Sequence, residues 1–83
     1  MSAQMKIFKI ALGLPKGHAI IVPGSLVRDA SQDNLSMIDR MGPARREDVE
    51  DFVKMAKSNW GVSITETDFG NSFEIFKPNE GGK

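Results

Sequence analysis

The chain has 83 residues, 40% of them apolar, with eleven basic side chains balanced by eleven acidic ones and no cysteine. Those totals describe one small domain, residues 1–83, with a single core. They exclude disulfides, thiolate chemistry and, with one histidine, a zinc site. A net charge of zero also argues against nucleic acid as the main partner, because such binders draw most of their affinity from a basic surplus.

The opening, MSAQMKIFKI, lacks the apolar stretch and small-residue cleavage site of a signal peptide. No run approaches the roughly 20 apolar residues that cross a bilayer. The absence of cysteine fits a reducing compartment, so a cytoplasmic, membrane-free domain is expected. Residues 1–4 are expected to fray. Met5 to Leu12, MKIFKIAL, is rich in Ile and Phe and roughly alternating, with Phe8, Ile10 and Leu12 on one face and Ile7, Lys9 and Ala11 on the other. That pattern predicts a strand. GLPKG then marks a loop.

HAIIVPGSLVRDA is harder to assign. A helix through it would hold Pro23 and Gly24 in its interior at a cost of about 3 and about 1 kcal/mol. A strand HAIIV, a Pro-Gly turn and a second extended piece SLVRD avoid that cost, so extended structure is expected. Ile20, Gly24 and Val27 nevertheless also sit at helical spacing. In SQDNLSMIDRMG, Ser31 or Asp33 suits the cap of a short helix with Leu35, Ile38 and Met41 on one stripe. The letters LSMID suit a strand equally well, and periodicity does not choose.

From Pro43 the pattern is firmer. Val49, Phe52, Val53, Ala56 and Trp60 form one apolar stripe, predicting a helix over 44–60. Proline suits its first turn, Glu47 and Asp48 favour its N-terminal end, and Gly61 suits a left-handed cap. Glu50 and Lys54 are spaced for an i,i+4 ion pair. VSITET and NSFEIFK follow as two alternating runs around the turn-formers DFGN. They predict a hairpin with Val62 and Ile64 opposing Phe73 and Ile75 on the buried side, and Ser63, Thr65 and Glu74 outward. Pro78 ends the sheet, and 79–83 should fray. The fold expected is α/β (α+β): a two-layer sandwich in which a mixed sheet is covered by the 44–60 helix, and by one shorter helix if the middle segment is helical.

Few side chains suggest chemistry. His18 lies in a Gly-rich loop beside Lys16, a setting that suits acid–base or phosphate contact. A solvent-facing loop histidine is the simpler account, since no Ser, Asp or Glu flanks it closely. GLPKG lacks the Gly-Lys-Ser/Thr ending of a phosphate loop. Arg40, Arg45 and Arg46 gather at the start of the 44–60 helix, where guanidinium groups and free N–H groups can hold a phosphate or a partner's carboxylates. Against this, Glu47, Asp48, Glu50 and Asp51 crowd the same turns and are ready ion-pair partners. Asp33, Asp39 and Asp68 are too scattered for a carboxylate pair or a magnesium site. GNSFEIF lacks the basic and small positions of an RNA-recognition strand, and a helix-turn-helix would have to read DNA with an acidic first turn.

The second half, LSMIDRMGPARREDVEDFVKMAKSNWGVSITETDFGNSFEIFK, resembles the TusA/SirA-like sulfur-carrier family of small two-layer α/β proteins. These end in a strand, an acidic-start helix with a buried Phe, and two final strands. ALGL, Ala11 to Leu14, falls about where that family's first strand closes. The resemblance covers about 40 residues well. Where the family carries its persulfide cysteine in a Cys-Pro-x-Pro motif, this chain has PKGH, Pro15 to His18, so the resemblance implies the architecture and not the sulfur chemistry. The expectation is a non-catalytic accessory or regulatory module, without metal or cofactor, that binds a protein partner. Its contact surfaces would be the Arg40/Arg45/Arg46 end and the 13–18 loop with Lys16 and His18. The alternative is a phosphate-ligand or nucleic-acid binder that uses the same arginines. An edge strand able to pair between chains leaves monomer and homodimer both open.

Overall fold

The structure, a computed structural model, describes residues 2–33 and 42–79. It is an α+β arrangement in which helices cover one face of a three-stranded sheet. The described elements are helix α1 (Ala3–Gly13), strand β1 (Ala19–Pro23), helix α2 (Gly24–Ser31), helix α3 (Arg46–Met55), strand β2 (Ser63–Thr67) and strand β3 (Ser72–Phe76). The segment 34–41, with its helix-or-strand alternatives and Arg40, lies outside the described residues, as do Met1 and 80–83.

The first element corrects the sequence expectation. Residues 5–12 are helical, and Ser2–Gln4 form the cap and first turn of α1. The Ser2 hydroxyl accepts the Met5 N–H at 3.1 Å, which satisfies one of the donors a helix start leaves open. Asp33 accepts the Gln4 N–H at 2.7 Å, and the Gln4 side-chain amide donates to the Ala30 carbonyl at 3.0 Å, so this end is bolted to the end of α2. A helical stripe runs through Ala3, Ile7, Ile10, Ala11 and Leu14. Ile7 and Ala11 are buried and Leu12 is exposed, while Ile10, on the same strand face as Leu12 in the alternating pattern, packs against the core with Ile7 and Ala11. Alternation within eight letters hid a 3.6-residue period that becomes visible only from Ala3 to Leu14.

HAIIV contains the expected strand, β1, but the Pro-Gly turn and extended SLVRD are replaced by α2. Pro23 stands at the N-cap, extended at φ −61° and ψ 142°, and Gly24 is the first helical residue. Neither lies in a helix interior, so the penalty that favoured an extended segment does not apply. Gly24, Val27, Ala30 and Ser31 then face the core. Glycine at 24 is required by close approach: a Cβ there would lie 2.2 Å from the Gly70 carbonyl oxygen. The Gly24 N–H donates to the Asn71 carbonyl at 2.8 Å, and Arg28 Nη1 donates to the Gly70 carbonyl at 2.8 Å.

The 44–60 helix is present as α3, continued by a wider π-helical turn, Ala56–Trp60, and closed by Gly61 at φ 69°. Phe52 and Ala56 are buried, and the Trp60 ring meets Phe8 at 5.2 Å and Phe52 edge-on at 5.8 Å. Such aromatic pairs add modestly to the area they bury.

The sheet order is β1-β3-β2, antiparallel throughout. The mixed sheet expected from an N-terminal strand is absent among the described residues because that segment is α1. Val22, Phe73, Ile75 and Ile64 share the face under the helices, where they meet Ile7, Val27, Phe52 and Val62 in one core, and Ile20, on the same face at the edge, stays exposed. The hairpin register differs in one respect from the expected one: Ile64 faces Ile75, but Phe73 faces Glu66.

Candidate functional site

Hydrogen-bond direction alternates along an antiparallel ladder, so each strand residue turns both backbone groups toward one neighbour. Gly24 bonds to Asn71 and His18 to Lys77, which fixes Phe73 and Ile75 as facing β1 and Ser72, Glu74 and Phe76 as facing β2. The outer backbone groups of β2 therefore belong to Ile64 and Glu66, and those of β1 to Ala19 and Ile21. Among the described residues no further strand pairs with either, so these are the two edges of the sheet.

A groove of about 540 Å³ lies between the β2 edge and α3. Val49, Val53, Ile64 and Phe73 contribute its apolar lining, and Arg28, Arg46, Lys54, Glu50 and Glu66 its charges. Val49 and Val53 are only half-buried although they lie on the apolar stripe of α3. Glu50 and Lys54 do not form the expected ion pair, so both charges face solvent at the groove. Arg45, the N-cap of α3, grips Asp48 through Nε at 3.0 Å and Nη2 at 3.3 Å. That is the local pairing the acidic first turn allowed for. Of the three arginines singled out from the sequence, Arg46 lines the groove, Arg45 is engaged with Asp48, and Arg40 lies outside the described residues.

Lys16 and His18 are elsewhere. Their loop adjoins Ala19, the residue paired with Phe76, whereas the groove reaches Gly70 at the opposite end of the sheet. Four strand steps, about 14 Å at about 3.4 Å each, separate the two ends. The loop is fixed through its backbone, Gly17 N–H to the Lys77 carbonyl at 2.7 Å and Lys77 N–H to the His18 carbonyl at 3.0 Å. Both side chains are exposed and unpaired among the described residues. The two expected contact surfaces do not combine into one site.

The residues missed by sequence reasoning come from the hairpin turn and from α2. Asp68, Phe69 and Gly70 all have left-handed backbones, at φ 51°, 56° and 88°. The left-handed region costs a non-glycine residue roughly 1 kcal/mol or more. Phe69 occupies it while 99% exposed, so no burial offsets the strain. Phe69 precedes Gly70, which lines the groove, while its own ring stands in solvent outside the lining. Arg28 reaches Gly70 from α2. A large aromatic residue between the turn-formers Asp68 and Gly70 was the available signal for Phe69. Arg28 gave none.

Among the described residues no group of three or more His, Cys, Asp or Glu side chains is placed to hold a metal ion, and no helix is long and apolar enough to cross a membrane. No family model matches the chain, and comparison with curated proteins and with solved structures gave no match.

Proposed function

We propose that this chain is a small non-catalytic accessory module that binds a protein partner through the groove beside β2 and the Phe69 turn. The observation that carries the reading is Phe69, an aromatic ring held wholly in solvent on a strained turn whose Gly70 lines an apolar-floored, charge-rimmed groove. Exposed aromatics and arginines are the residue types that dominate binding energy at protein interfaces. A cytoplasmic location and a TusA/SirA-like architecture for the C-terminal half belong to the same reading. The order α3, β2, β3 supports that architecture, and the lack of a cysteine separates it from sulfur transfer.

The test is comparative affinity capture from lysate of the source cell. The wild-type chain should retain a specific protein that Phe69→Ala and Arg46→Glu each fail to retain. Recovery of the same background by all three would count against the reading.

A second reading is favoured by one observation: Arg28, Arg46 and Lys54 line one groove, a cationic setting for a phosphate-bearing ligand or a nucleic acid. It predicts retention on a phosphate matrix or an oligonucleotide that falls steeply with salt. Salt-insensitive or absent retention removes it.

A further inference from the structure

We propose that the opposite edge of the sheet, β1, is a homodimerisation surface in which two copies pair antiparallel about a two-fold axis through Ile21, joining two three-stranded sheets into one of six. This is independent of the partner groove, which lies beyond β2.

The backbone register supplies the first argument. Ala19 and Ile21 turn their backbone groups away from β3, whereas Pro23 has no N–H and gives its carbonyl to the start of α2. With Ile21 facing Ile21 of the second copy, those two residues exchange both of their N–H···O bonds. Ala19 then faces Pro23 of the other copy, whose carbonyl already serves as the first acceptor of α2 and whose nitrogen carries no hydrogen. The ladder therefore consists of the Ile21 pair alone, and the Ala19 backbone groups stay at the rim, where water can reach them. Pro23 would block pairing that ran further and permits this short one. The smallest residue of the strand also lands opposite the proline ring.

Side chains supply the second. β1 reads AIIVP, without the charge that guards many edge strands, and its one guard, Pro23, stands at its end. Three of the six large apolar side chains left exposed, Ile20, Ile21 and Phe76, lie on β1 or on its paired neighbour β3. In the two-fold register Ile20 packs against Val22 of the second copy on the helix side. Ile21 packs against its own symmetry mate on the other face. The β2 edge is built in the opposite way. Ser63, Thr65 and Thr67 line its outer face, and Glu66 turns a carboxylate toward the helix side, an inward charge of the kind that discourages strand pairing.

Sedimentation equilibrium of the full chain over a concentration series tests the proposal. The mass should rise from 9.1 kDa toward twice that value. Ile21→Lys should remain at the monomer mass with an unchanged circular dichroism spectrum, since Ile21 is exposed and outside the core. Thr65→Lys, on the other edge, should still dimerise. Residue-resolved hydrogen exchange on the wild type gives a readout that does not depend on any variant folding: protection at the Ile21 amide should increase with protein concentration. A mass that never leaves the monomer value, a dimer that survives Ile21→Lys, or an Ile21 amide whose exchange ignores concentration would each overturn it.

Discussion

The two edges of the sheet are made of different material. β2 offers hydroxyls on its outer face and Glu66 on its inner one, and beside it lies a groove with charges at its mouth. β1 offers alanine, isoleucine, valine and proline, four of its five residues exposed. Both are five residues long and both flank β3, so length and position do not distinguish them. Composition does. A guarded edge next to a hollow suits a surface kept clear for a partner of different chemistry. An uncharged apolar edge whose backbone is self-complementary about Ile21 suits a second copy of the chain.

The strongest perturbation of this comparison is removal of what the edges share. Ile75 is fully buried and faces Ile20 on one side and Ile64 on the other. Ile75→Ala should cost about 3–4 kcal/mol in urea denaturation and weaken both edges together. A loss below about 1 kcal/mol would mean that the sheet centre is not the core described here.

Gly24→Ala comes next. It drives a methyl group into the Gly70 carbonyl and separates the start of α2 from the turn that carries Phe69. A loss of about 2 kcal/mol is expected from such overpacking. Capture of a partner should suffer more than self-association, because the damage lies at the groove end.

Smaller effects sharpen the contrast. Phe69→Asn places a residue that tolerates left-handed backbone where phenylalanine is strained. Stability should rise by a few tenths to about 1 kcal/mol while partner capture falls. A ring that served only the fold would show the reverse, a loss of stability with capture intact. Ile21→Thr, at a half-exposed site outside the core, should change stability by no more than about 0.5 kcal/mol and still weaken the dimer. Thermal melts paired with sedimentation separate the two quantities.

Legibility in the sequence followed the length of the pattern. The stripe from Val49 to Trp60 spans three turns between clear start and stop signals, and α3 was readable from it. The hairpin was readable from two alternating runs around Asp68–Asn71. α1 was misassigned because Ile and Phe alternate over the short stretch Met5–Leu12, while the capping Ser2 and the contacts of Gln4 with Asp33 and Ala30 were out of view. α2 was misassigned because Pro23 and Gly24 were charged as helix-interior residues when they begin the helix. The reason for Gly24, the approach of Gly70, lies 46 positions along the chain. At the candidate site, Arg46 was legible from its place at a helix start. Arg28 was not, since it joins Arg46 only through the docking of α2 on the hairpin turn, and Phe69 showed only as an aromatic residue between the turn-formers Asp68 and Gly70.

The most direct test of the difference between the edges is hydrogen exchange at three amides in one sample: Ile21 on β1, and Ile64 and Glu66 on β2. The account predicts that Ile21 becomes protected as the protein is concentrated, while Ile64 and Glu66 respond only when a groove partner is added. Protection of Ile64 and Glu66 by concentration alone, with Ile21 unaffected, would contradict it.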